Sequence, residues 1–137
     1  MRILALDLGE KRIGVAISDA LNIIAQGEET IERKNDKDTI NKIKELIERH
    51  DIKKIIVGMP INMNGTKGDK ARYSEEFAAI LKKETSISIE LVDERLTTKQ
   101  GERMLIEADV SRKKRKRSID KIAAQLILQS YMDSRTE

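Results

Sequence analysis

The spacing of apolar residues divides the chain into short alternating blocks followed by helical ones. Arg2–Leu8 is a compact apolar run and predicts a buried strand. Gly9 and Glu10 supply a turn, and Arg12–Ser18 predicts a second strand with Ile13, Val15 and Ile17 on one face. Asp19 and Asn22 bracket another turn. Residues 23–32 predict a third, weaker strand at a sheet edge, which completes an antiparallel meander.

From residue 36 the period changes to that of a helix. Ile40, Ile43, Leu46 and Ile47 share one face over residues 36–50, with Asn35 or Asp36 as the N-cap. Residues 53–57 predict a fourth strand ended by Gly58 and Pro60, and 62–68 a polar, glycine-bearing loop. A second helix is expected over 70–83 with Tyr73, Phe77, Ile80 and Leu81 inward, then a fifth strand over 87–92. Thr97 and Gln100 match a capping box that opens a third helix carrying Met104, Leu105 and Ala108. Ser118 caps a last helix to about residue 132, with Ile119, Ile122, Ala123 and Leu126 as its stripe. The order β-β-β-α-β-α-β-α-α predicts a single α/β domain over residues 1–137. Its mixed five-stranded sheet has three antiparallel and two parallel strands, flanked by helices.

Composition removes several chemistries. There is no cysteine, hence no disulfide framework, thiol nucleophile or thiolate zinc site, and His50 is the sole histidine. No apolar run approaches a membrane span, and no signal-peptide pattern opens the chain, so a cytoplasmic protein without membrane contact is expected. The only aromatics are Tyr73, Phe77 and Tyr131, so the core must be aliphatic.

Charge adds a partner. The net charge is +3, but residues 109–137 hold eight Lys/Arg against four Asp/Glu, a balance of +4 that leaves −1 for the rest. Within that segment Arg112, Lys113, Lys114, Arg115, Lys116 and Arg117 are consecutive. Such a block is a solvated loop at least, and its self-repulsion favours a polyanion beside it. Phosphate-backbone contact with structured RNA or branched DNA fits better than base stacking on so few aromatics.

Three acids stand where chemistry is possible. Asp7 ends an apolar strand on the face of Ile3 and Ala5; its alternative role is to open the turn at Gly9. Asp93 and Glu94 follow the fifth strand, and alternation sends one of them to Asp7's side without choosing which. Asp120 lies in the first turn of the last helix, where an acid also complements the helix dipole. Carboxylates without His or Cys are hard oxygen ligands suited to Mg²⁺ or Mn²⁺. Such ions activate water and stabilise the leaving oxygen of a phosphodiester.

The motifs themselves resemble those of the YqgF family, a group described as Holliday-junction resolvases and as pre-16S rRNA nucleases. The resemblance runs through Asp7-Leu8-Gly9-Glu10-Lys11-Arg12-Ile13-Gly14, then Val57-Gly58-Met59-Pro60, then Val92-Asp93-Glu94-Arg95-Leu96-Thr97, then Asp120-Lys121-Ile122-Ala123-Ala124. It spans essentially the whole chain. It implies a ribonuclease H-like fold and a metal-dependent nuclease with Asp7, Glu94 and Asp120 as catalytic and metal-holding acids. It places Glu94 ahead of Asp93 and makes Lys11, Arg12 and Arg95 candidate phosphate contacts beside the run 112–117. Related junction resolvases tend to offer four acids where three are evident here, which leaves one or two metal ions open.

Two other classes compete. A nucleotide-phosphate binder of the actin and sugar-kinase group shares the fold but needs two such domains. A non-catalytic module for ribosome maturation would use the basic run alone. His50 is expected at a helix end, where its charge suits the dipole, and Lys67 and Lys70 are weaker phosphate candidates. A monomer or weak homodimer is expected, since no apolar stripe is free of core duty.

Overall fold

A computed structural model describes residues 2–9, 11–28, 30–60, 68–93 and 123–133. The central strand is β1 (Arg2–Leu8), whose Leu4, Ala5 and Leu6 are fully buried. It pairs antiparallel with β2 (Arg12–Ser18), from Leu4 opposite Ile17 to Leu8 opposite Ile13. On its other side β1 runs parallel to β5 (Ile52–Met59), and β5 runs parallel to β6 (Ser88–Asp93). The edge beyond β2 holds two short strands, β3 (Ala25–Gly27) and β4 (Ile31–Glu32), both antiparallel to β2. The sheet order is β3-β2-β1-β5-β6, with β4 also on β2. Six strands thus fill five positions, in the expected arrangement of an antiparallel meander joined to two parallel strands.

The edge strand expected over 23–32 is interrupted for a reason of register. Gly27 faces Ala16, but Ile31 faces Ile13, so the edge chain carries one residue more than β2 between these pairs. This extra residue shifts the register and separates β3 from β4. Strand β5 also runs two residues past its expected end, through Gly58 to Met59.

Helix α1 (Asp36–His50) starts at Asn35, whose side chain accepts the Asp38 N–H at 2.8 Å. It ends at Asp51 in the left-handed region. Helix α2 (Asp69–Thr85) ends the same way at Ser86. Both pack on one face of the sheet, burying Ile40, Ile43, Phe77 and Leu81 against Leu4, Leu6, Val15, Ile55 and Val57. Ile80, expected inward, is 41% exposed, because the buried arc of α2 runs through Ala71, Ser74, Phe77, Ala78 and Leu81 and leaves position 80 to one side.

Helix α3, described over 123–133, covers the opposite face. Ala124, Ile127, Leu128, Tyr131 and Met132 pack on Ile3, Ala5, Ala16, Ala25 and Ile56. This stripe is one position on from the expected one, and Ala123 and Leu126 are only partly buried. Ile119 and Ile122, like the helix expected from Thr97, lie outside the described residues. None of the described helices is long and apolar enough to cross a membrane.

Candidate active site

Strand alternation decides where Asp7 points. Ile3 and Ala5 belong to the core beneath α3, and Asp7 continues their row at the carboxyl end of β1, partly exposed where those two are buried. The residue directly across on β2 is Gly14. Side chains at such a pair share one face with Cβ atoms about 4.5–5.5 Å apart. With hydrogen in place of a side chain at 14, no Cβ stands beside the carboxylate, although Gly14 and Gly58 are themselves buried. On the other flank Leu6 pairs with Val57, and the next β5 residue is Gly58, itself paired with Val92. Asp7 stands between two strand positions that carry no side chain. Among the described residues its carboxylate has no hydrogen bond or ion pair. An acid in this state is available to a ligand from outside.

The same alternation bears on Asp93. Ile89 and Leu91 pack on the α1/α2 side, and Val92 packs on the α3 side. Asp93 follows Leu91 in parity and so belongs to the face away from Asp7. Glu94, Arg95, Asp120 and the run 112–117 lie outside the described residues. No three acidic or His side chains come together as a metal site among the described residues.

Arg12 shares the α3 side with Gly14 and Ala16, so it is on Asp7's face. Its Nε lies 3.4 Å from the Glu32 carboxylate across the β2–β4 pair. Glu32 is well exposed and Arg12 partly so, and such a pair is worth at most about 1 kcal/mol. A phosphate can displace Glu32 at little cost. Lys11 is exposed in the turn, and its carbonyl accepts the Arg33 N–H at 2.9 Å.

Two residues of this strand end escape a reading of the sequence. Gly58 reads as a strand terminator but lies inside β5 beside Asp7. Arg33 links the turn after Asp7 to α2, donating from one guanidinium nitrogen to the Gly9 carbonyl and from the other to the Tyr73 hydroxyl. The guanidinium carbon lies 4.7 Å from the Tyr73 ring centre. Burial pushes the Tyr73 hydroxyl above its ordinary pKa, against the opposing pull of Arg33, so it stays protonated at neutral pH. The Arg33 partners are 24 and 40 residues away in sequence, and no local pattern announces them.

At the far end of the same face, Lys54 lies 3.0 Å from the Glu90 carboxylate and 5.0 Å from the Tyr131 ring centre. It ties β5, β6 and α3 together. The Tyr131 hydroxyl, more than Glu90, raises the Lys54 pKa, with desolvation opposing.

Known proteins share this fold. Among solved structures, Thermus thermophilus RuvC in complex with a Holliday junction substrate superposes with a TM-score of 0.61 at 13% identity, over 99% of this chain and 96% of that one. The fold is therefore RuvC-like, within the ribonuclease H-like group. Among sequences, a protein of Syntrophomonas wolfei is 50% identical over 133 residues, 97% of this chain and 94% of its own. One of Geobacillus sp. WCH70 is 52% identical over 137 residues, 98% and 99% of the two chains. Both are named "Putative pre-16S rRNA nuclease". A profile of the RuvX family, described as Holliday junction resolvase, matches residues 1–134. With the profile spanning nearly the whole chain and half of all positions shared with full-length relatives, this chain belongs to the RuvX family.

Proposed function

We propose that the protein is a divalent-metal-dependent endonuclease that hydrolyses a phosphodiester of precursor 16S rRNA during ribosome biogenesis. The observation that carries this reading is Asp7: a carboxylate without a partner among the described residues, at the carboxyl end of the central strand between Gly14 and Gly58, in a RuvX-family chain. The strand ends of an α/β sheet are where ligands gather. The relatives' names supply the RNA.

A metal ion fits the donor set, because a carboxylate flanked by two glycines and without a partner among the described residues is a hard oxygen ligand. Asp7 would hold Mg²⁺ or Mn²⁺ together with Glu94 and Asp120. The parity of β6 turns Asp93 away from the face of Asp7, which supports Glu94 over Asp93. When bound, the metal supplies Lewis acidity to the phosphate and lowers the pKa of water. The chain's own side chains do the rest. Lys11, Arg12, Arg95 and the run from Arg112 to Arg117 hold the phosphate backbone, and the glycines at 14 and 58 let it approach the sheet.

The test is cleavage of a 5′-extended small-subunit rRNA precursor with Mg²⁺ or Mn²⁺, with EDTA as control. Cleavage is expected with metal and absent with EDTA. Asp7→Asn should lower it by more than about a hundredfold, since even the outer partners of metal ligands cost 10–100-fold. Metal-dependent cutting that survives Asp7→Asn would remove Asp7 from the reaction. The description of the RuvX family favours a second substrate, a four-way DNA junction, and the same assay on that junction tells the two apart.

A further inference from the structure

We propose that the cavity on the other side of the β1 terminus is a subsite for one unpaired ribonucleotide of the substrate strand. The inference rests on the nuclease reading above and names a contact that reading lacks. The cavity measures 370 Å³ and is lined by Leu8, Gly9, Arg33, Asp69, Lys70 and Tyr73. That volume lies in the range of small-ligand clefts. Leu8 and Gly9 directly follow Asp7, and Leu8 faces the α1/α2 side while Asp7 faces α3. At 3.8 Å per residue, Gly9 is within about 7 Å of Asp7 along the chain. A nucleic-acid strand crossing the Gly9 turn therefore passes from the carboxylate straight into the cavity.

The lining matches the parts of a ribonucleotide. Of the three aromatics, Phe77 and Tyr131 are core residues, 1% and 8% exposed, whereas Tyr73 is half-buried and forms a wall. Arg33 lies over the Tyr73 ring and is fixed by its hydrogen bonds to Gly9 and Tyr73. Aromatic rings and guanidinium planes are the surfaces on which unstacked RNA bases settle. Arg33 and Lys70 are the cations of the lining and Asp69 its carboxylate, with Asp36 close enough to act on Tyr73, so a phosphate would meet Arg33 among mixed charges. Asp69 is exposed and, when ionised, accepts hydrogen bonds only. It repels the phosphate and suits a ribose 2′-hydroxyl, the group by which proteins tell RNA from DNA. A brace for the Gly9 turn would account for Arg33 and Tyr73 but would be served equally well by a filled cavity.

The experiment uses the full chain carrying Asp7→Asn, without divalent metal, titrated with a short oligoribonucleotide that contains one 2-aminopurine. Quenching of the probe is expected on binding. Adding Tyr73→Leu should abolish the quenching and weaken binding about tenfold. The matching oligodeoxyribonucleotide should bind more weakly, and Asp69→Asn, a surface change that leaves the core intact, should narrow that difference. Quenching that survives Tyr73→Leu in a protein with an unchanged melting profile overturns the proposal. Equal affinity for the two sugars, or a ratio untouched by Asp69→Asn, overturns it as well, and the Asp69 variant decides if Tyr73→Leu fails to fold. The readout needs neither metal nor turnover. Stacking without cleavage by the unmutated protein would sink the nuclease reading alone, and cleavage without stacking would sink the subsite alone.

Discussion

Asp7 and Gly14 face one another across the β1–β2 pair, and their demands on the fold are opposed. A glycine inside a strand costs about 0.5–1 kcal/mol relative to alanine, because more backbone freedom is lost on folding. A carboxylate at a strand end with no described partner contributes nothing to offset that cost. Retaining both makes sense if the space between the strands is used. Gly14→Ala is therefore expected to move stability and activity in opposite directions. The melting temperature should hold or rise, while rRNA cleavage should fall about a hundredfold, the cost of displacing a reacting group by about 1 Å. Differential scanning fluorimetry and the precursor assay on one preparation test this. A parallel loss of both would mean that Gly14 serves the fold and not the site.

At the scale of elements, the joints between α3 and the sheet are specific enough to predict. Gln129 accepts the Ala25 N–H at 3.0 Å and donates to the Ile23 carbonyl at 2.8 Å, and Gln125 donates to the Ala25 carbonyl at 3.4 Å. Two helix side chains thus satisfy backbone groups of the edge strand that would otherwise be open to pairing with another chain. Gln129→Ala should cost about 0.5–1.5 kcal/mol in urea unfolding, the net worth of hydrogen bonds whose groups water can reach. It should also raise light scattering on storage. Lys54 makes the joint pH-dependent. Its folded pKa is raised above 10.5, so the stability it contributes is complete below pH 10.5 and is lost as pH climbs through the folded value. Lys54→Met should remove part of the fall in melting temperature above pH 10.5 and leave the profile near neutrality flat. Much of this layer was legible beforehand. Arg2–Leu8, Arg12–Ser18 and Asp36–His50 have the expected bounds, because apolar alternation and the Asn35 cap are local signals. The register shift between Gly27 and Ile31 was not, since it exists only against β2. The face of α3 was misplaced by one residue because apolar side chains run almost without a break from Ile122 to Leu128. Asp7 was legible as an acid ending an apolar strand. The clamp of Arg33 on Gly9 and Tyr73 was not, because it joins three segments distant in sequence.

Across the whole molecule, charge is as unevenly placed in sequence as chemistry is in space. Outside residues 109–137 the chain carries −1, so it has no general attraction for nucleic acid, and the run from Arg112 to Arg117 must supply most of it. Each phosphate contact adds about 0.7 to the slope of log affinity against log salt for single strands, and about 0.9 for duplex. Changing Lys113, Lys114 and Lys116 to Gln removes three positive charges and takes the net charge from +3 to neutral. If all three touch phosphate, the slope should fall by about 2–3 for precursor rRNA measured between 50 and 200 mM salt. Asp7→Asn should leave the slope where it is, because the carboxylate meets the reacting phosphate and not the backbone at large. Cleavage at saturating RNA gives the other half of the argument. A run that only gathers substrate changes the RNA concentration needed and leaves the maximal rate alone, since binding lost equally from ground and transition states does not alter kcat. A triple variant with an unchanged slope would return the run to the status of a solvated loop. A triple variant that loses rRNA maturation in cells, beside an Asp7→Asn chain that keeps it, would make the protein a binding factor whose acids are vestigial.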